Sequence, residues 1–489
     1  LKIYKKLAGQ TLIYGMGTVI PRLLNYSVLT FYYTRLFSVS QFGVLTELYA
    51  YVTFLMVILT YGMETGYFRF ARSKGNNLVY SSVLLSLFVT SFLFIVFIFL
   101  TRKSIAGLLD YSGNVEFISM LGVIVAIDAF STIPFAKLRL EEKSLRFSVL
   151  KIINVLVTIA CVVFFYEVLP WLKARNLILL NINPREDVTY VLLSNLIASS
   201  VILFLLFPEI LSARITFSFR LIREILAYSL PLLIAGLAGT VNETLDRILL
   251  KHLIQGDDLA KYELGIYGAN YKIAILLLLF IQMFRYAAEP FYFNYYKRSD
   301  DKEVFSRIMR LFIAVMLSIC MVIMFYLRYV KYFIDVKFHE GLKIVPVILV
   351  AYVFYGIFFN LSVWYKLKKK TVYGAILTIT GALITIMINV LFVKRFSYMA
   401  SAAGHVVAYF VMVIMSYFLG RKYFRIDYKP GKIAEYIIIA LSIFAFSEFV
   451  VGDLFIISDV INGLLIAGYL IYVMKRENIV LLKRLINEH

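Results

Sequence analysis

A guanidinium halfway along an apolar stretch is the first group in this sequence that could do chemistry. Arg22 sits near the centre of segment 11–33, TLIYGMGTVIPRLLNYSVLTFYY, with Asn25 one turn further along the same face. A charge at bilayer depth costs at least about 2.5 kcal/mol on insertion scales, so it belongs in a polar interior and not against lipid. Two readings stand for Arg22. It is an anion-binding cation in a wet cavity, or one half of a structural ion pair with Asp128, near mid-depth of segment 116–135. Asp128 correspondingly reads as a protonatable coupling site or as that counter-ion. Glu64 ends segment 44–63 close to Arg69 and reads as a solvated interfacial pair. Glu243 and Arg247 are spaced to pair along a helix, leaving Asp246 over, at what reads as the outer rim of segment 229–249. Lys272 and Arg285 lie toward opposite ends of segment 267–290, roughly 20 Å apart along a helix axis. Glu289, one turn beyond Arg285, is placed to neutralise it. Asn195, Asn360 and Asn389 are neutral polar candidates, and His405 reads as an interfacial residue.

The types missing matter as much. There is no H-E-x-x-H, no G-x-S-x-G, no Walker A motif and no clustered pair of water-facing carboxylates, so no enzyme, cofactor or metal site is expected. Cys161 and Cys320 each lie inside an apolar run and read as packing residues.

The chain that must position these groups is 61% hydrophobic with a mean hydropathy of +0.84, far outside the soluble range. It reads as an all-α polytopic membrane protein of about 14 transmembrane helices. The candidate spans are 11–33, 44–63, 80–100, 116–135, 148–169, 188–207, 229–249, 267–290, 305–327, 344–365, 372–393, 400–419, 433–451 and 454–474. The first stays in place, because it lacks a small-residue cleavage site. Pro21 predicts a kink there by crowding the carbonyl of Gly17. The net charge of +20 sits in short segments between spans, so positive-inside topology explains it and nucleic acid is not expected. About twice as many Lys and Arg fall on the N-terminal side as on the other, predicting both termini cytoplasmic. The tail KRENIVLLKRLINEH is expected to lie along the membrane surface.

A faint internal repeat divides the chain. LAGQTLIYGMGTVI leads to Phe42-Gly43-Val44-Leu45, and LAYSLPLLIAGLAGTV leads at similar distance to Leu264-Gly265-Ile266-Tyr267. Both halves start on the same side, so the repeat is parallel. The expected organisation is a six-helix bundle over 1–208, a cytoplasmic linker over 209–228, a second six-helix bundle over 229–420, and two extra helices with a tail over 421–489. The long segment 171–187 reads as an outer loop.

The opening seventy residues resemble the bacterial polysaccharide biosynthesis proteins, the O-antigen and capsule flippases of the multidrug/oligosaccharidyl-lipid/polysaccharide exporter superfamily. The basic residue of the glycine-punctuated first span, Tyr33-Thr34-Arg35-Leu36, Gln41-Phe42-Gly43 and Gly62-Met63-Glu64 leading to Phe68-Arg69-Phe70 carry the likeness. The resemblance implies a V-shaped pair of bundles around a central cavity. It also implies alternating access, with an undecaprenyl-diphosphate-linked oligosaccharide turned from the inner to the outer leaflet of the bacterial inner membrane. Arg22, Lys272 and Arg285 would then meet the anionic pyrophosphate, with Asn25, Asp128, Glu64, Asp246 and Asn195 as polar or coupling groups. Membrane lipids and a glycan polymerase machinery would be its partners. A cation-coupled multidrug exporter, kept open by Asp128, a lipid II flippase and a non-transporting scaffold are the alternatives.

Overall fold

The computed structural model describes residues 17, 19–175, 187–213, 216–298, 302–368, 370–451 and 456–477. Residues 11–16 and 18 of the first span, most of the outer loop and residues 478–489 of the amphipathic tail lie outside them. Among the described residues every regular element is helical. Among the described residues twelve helices are long and apolar enough to cross a membrane. The shorter apolar helix Thr189–Leu205 and the partly described first span bring the total near the expected fourteen.

The chain forms two compact units, 1–265 and 266–489. In the first, α1 covers 19–36 and is interrupted by a π-helical turn at Asn25–Leu29, four residues beyond Pro21. The kink expected from Pro21 falls on 17–21, a stretch not fully among the described residues, and the π turn beyond it is a separate distortion of the helix. α2 (Val39–Thr60) opens with a capping box: the Ser38 backbone N–H donates to Gln41 Oε1 and the Gln41 N–H donates to Ser38 Oγ. It ends where Tyr61 and Gly62 both turn left-handed, at φ 33° and 71°, and α3 (Met63–Lys74) follows. α4 (Asn76–Leu108), α5 (Val115–Leu140), α6 (Ser144–Val163) and α7 (Thr189–Leu205) complete the first six spans.

The segment after α7 is not a free linker. A short helix, α8 (Phe207–Leu211), carries Glu209, which is 6% exposed. Arg146 grips the Glu209 carboxylate with Nε and Nη2, both at 2.9 Å, while Tyr80 donates to its backbone carbonyl at 2.8 Å. Lys137 donates to Ser212 one turn on. α9 (Phe219–Leu253) then starts well before the expected position 229, because Leu221, Ile222 and Ile225 form an apolar face that packs with Tyr67, Tyr80 and Ile133. Gly62 and Gly66, a small-xxx-small pair on α3, admit α9 at close range. A Cβ on Gly66 would meet Ile225 Cγ2 at 2.5 Å, and Ser229 Oγ donates to the Gly62 carbonyl.

At the opposite end of this unit α2 crosses the start of α10 (Asp257–Arg298). A Cβ on Gly43 would stand 1.9 Å from the Lys261 carbonyl oxygen, and a Cβ on Gly265 would stand 2.0 Å from the Val39 carbonyl oxygen. The two glycines that mark the sequence repeat therefore face one another's helices. Either Gly43→Ala or Gly265→Ala must push the helices apart, an overpacking cost of about 1–3 kcal/mol. The two together are expected to cost less than the sum, because the first already opens the crossing. Denaturation of both single variants and the double variant in mixed micelles checks this.

In the second unit α11 (Glu303–Phe325), α12 (Val345–Leu361), α13 (Val363–Leu367), α14 (Thr371–Phe396) and α15 (Tyr398–Tyr423) follow the remainder of α10. The last pair, α16 (Pro430–Phe446) and α17 (Ile456–Arg476), packs on α11 through Ala314, Met321, Tyr436, Ala440 and Tyr469. An ion pair with both side chains 1% exposed keys them together. Arg310 of α11 donates from Nε and Nη2 to Glu477 at 2.7 Å each, and Tyr436 donates to the same carboxylate at 2.6 Å.

Candidate functional site

Arg22 and Asn25 are exposed residues of α1, flanking the start of its π turn. The Tyr26 hydroxyl lies in the field of Arg22, Arg247 and Glu243, so α1 and α9 bring their charges to one neighbourhood. Asp128 does not pair with Arg22. Its interactions are a hydrogen bond with Ser199 and an attraction to Lys151, whose Nζ also lies 4.0 Å above the Phe135 ring. Lys151 feels Arg22 and Arg139 as well, so it stands between Asp128 and the other cations. Sequence reading passed over Lys151, since a lysine two turns into α6 looks like a residue reaching back to the surface.

Glu64 pairs with Arg139 of α5 and not with Arg69, which instead lies 4.6 Å over the Tyr228 ring. Five residues along a helix put Glu64 and Arg69 on different faces, so a partner from another helix wins. Arg247 donates to the Glu243 backbone carbonyl at 2.7 Å and lies 3.9 Å from the Asp246 carboxylate. Asp246 is no rim residue: it is fully buried, as are Asn242 and Lys251, because α9 runs on to Leu253. Asn195 donates to the Tyr49 hydroxyl at 2.8 Å.

One further cluster had no signal in the sequence. Glu47 of α2, 0% exposed, accepts from Tyr111 at 2.6 Å and from Tyr51 at 3.1 Å. The Tyr51 hydroxyl also meets His252 Nε2 at 2.9 Å, and Lys251 lies 3.7 Å from Asp110 and pairs with Asp257. This network surrounds the Gly43 crossing and ties α2, α9 and the start of α10 together.

In the second unit Lys272 is half-buried on α10. Arg285 reaches Glu289 at 3.3 Å, as its spacing predicted, but Lys366 shares that carboxylate at 2.7 Å. Two cations on one acid leave net positive charge, and the Arg285 side chain is 54% exposed. Asn360 accepts from Tyr292 and Asn389 accepts from Ser401, so both serve packing. His405 is buried at 1% exposure against Tyr271 and Tyr409, not interfacial, because it faces inward on the second turn of α15.

Twelve membrane-length helices among the described residues, with buried charged side chains, define a multi-pass membrane protein. Its sequence matches the family described as "Polysaccharide biosynthesis protein" over residues 7–296, more than half of the chain, and the chain belongs to that family. Compared by sequence with curated proteins, it matches none. The fold is similar to that of "Lipid II flippase MurJ, inward closed conformation", with a TM-score of 0.64 at 13% identity, covering 96% of this chain and 98% of that one. It is also similar to the inward-facing conformation of a multidrug resistance MATE family transporter of the MOP superfamily, with a TM-score of 0.60 at 15% identity over 88% of this chain and 95% of that one.

Proposed function

We propose that this protein is a flippase that turns an undecaprenyl-diphosphate-linked oligosaccharide from the inner to the outer leaflet of the bacterial inner membrane by alternating access. The observation that carries this reading is surplus positive charge on membrane-length helices: Arg285 and Lys366 share the single carboxylate of Glu289. A diphosphate is the cargo group that such cations suit, the guanidinium as a planar fork and the ammonium as a point charge. Arg22, Lys272 and Arg285 are assigned to the pyrophosphate, and Asn25, Asn195, Glu64 and Asp246 to the polar surroundings. Residues 1–208 and 229–420 form the two six-helix bundles of this reading, with 421–489 appended. An apolar groove of about 370 Å³ along α16 and α17, lined by Ile443, Leu465 and Tyr469 among others, suits a polyprenyl chain.

The full chain reconstituted in vesicles with a fluorescent undecaprenyl-diphosphate oligosaccharide should bring the labelled headgroup to the opposite leaflet, where a membrane-impermeant quencher reads it. Export of a lipophilic cation in place of that movement would overturn the assignment. Asp128, at mid-depth of α5, is the observation that favours this cation-exporting alternative, and Lys151 beside it weighs against.

A further inference from the structure

The end of the second unit where α10 finishes and α14 begins carries a separate basic patch built on aromatic rings. Lys302 lies 4.7 Å from the Phe424 ring centroid and Lys368 lies 5.2 Å from the same ring. Lys368 also donates to the Tyr296 hydroxyl at 2.9 Å. Lys370 lies 4.0 Å above Tyr423, whose other neighbours include Lys422 at 5.6 Å, the stacked Trp364 at 5.7 Å and the Tyr373 hydroxyl at 2.5 Å. Tyr423 and Phe424 are adjacent in sequence, so three ammonium groups converge on neighbouring platforms.

Among the described residues no acid offsets them. Among the described residues none of the three lysines makes an ion pair, and the nearby carboxylates are engaged elsewhere. Glu303 holds Arg310 and Lys429, and Glu289 holds Arg285 and Lys366. Cation–π contact accounts for where each lysine rests, but it leaves the combined charge of the three without a counter-ion among the described residues. The depth of the patch identifies what supplies one. The candidate span of α14 begins at Thr371 and that of α15 ends at Tyr423, so the rings and lysines sit where membrane-crossing helices emerge. Tryptophan and tyrosine favour that headgroup level, and lysines there attract anionic lipid.

We propose that Lys302, Lys368 and Lys370, on the Tyr296–Tyr423–Phe424 platform, form a binding site for the phosphate of an anionic lipid headgroup. Its lysines are other residues than Arg22, Lys272 and Arg285, and the site does not depend on what the protein transports.

Trp364, stacked on Tyr423, is a built-in reporter once the other tryptophan is removed by Trp171→Phe. The purified full chain in detergent is titrated with short-chain phosphatidic acid, short-chain phosphatidylcholine and inorganic pyrophosphate, following Trp364 emission. Phosphatidic acid should bind saturably and more weakly at high salt. The combined Lys302→Ala, Lys368→Ala and Lys370→Ala variant should lose about 10- to 100-fold in affinity, and the matching Lys→Arg variant should retain most of it. Equal response to phosphatidylcholine, or equal affinity in the alanine variant, overturns the proposal. Pyrophosphate binding as tightly as the lipid reassigns the site to a soluble anion and overturns it as well. Should the triple variant fail to fold, Lys302→Ala, an exposed change, is still expected to weaken binding about threefold. An unchanged affinity there has the same negative meaning.

Discussion

Arg310→Met is expected to destabilise the protein by about 3–5 kcal/mol, the usual result of stranding one member of a buried ion pair. The variant leaves the Glu477 carboxylate, its side chain 1% exposed, with Tyr436 and longer contacts from Lys432 at 3.8 Å and Arg307 at 3.9 Å as its remaining support. Removing both charges, as Arg310→Met with Glu477→Leu, should recover most of the loss, because the desolvation of the two ions disappears along with their attraction. Equilibrium denaturation in mixed micelles reads the three free energies. A double variant no more stable than Arg310→Met would show that the pair does not act as a unit. The same pair joins positions 167 residues apart, so its loss should also loosen α16 and α17 from α11, visible as faster proteolysis between them.

The second large effect concerns transport. Arg22→Ala should lower the initial rate of headgroup movement by about 30- to 1000-fold, the range for removing a charged hydrogen-bonding partner worth 2–4 kcal/mol. Arg22→Lys keeps the charge but loses the planar fork, and a loss of about tenfold is expected. Membrane insertion should be unchanged in both, since an exposed Arg22 contributes little packing. A rate in Arg22→Ala within a factor of about two of the parent would remove Arg22 from the cargo path.

Much of the fold is legible in the chain because apolar length is a local property. Twenty residues without charge announce a span whatever they later touch. Left-handed Gly62 and the capping Ser38-x-x-Gln41 are likewise written within four residues. Charge partnership is not local. Glu64 finds Arg139 on another helix, Asp128 finds Lys151, and Arg310 waits for Glu477 at the far end of the chain. Glu47 is a single acid in an apolar run, and nothing near it in sequence indicates Tyr111 or His252. Asp246 was misplaced by a small error of extent: ending a helix at 249 instead of Leu253 moves it one turn toward water. His405 was misjudged for a different reason, since the direction its ring takes depends on Tyr271 of another helix.

The meeting of Gly43 and Gly265 has the form of a handshake between equals. Each glycine receives the carbonyl that lies four residues before the other, Val39 for one and Lys261 for the other. Two identical chains docking about a twofold axis make that reciprocal contact, with position i touching j and j touching i.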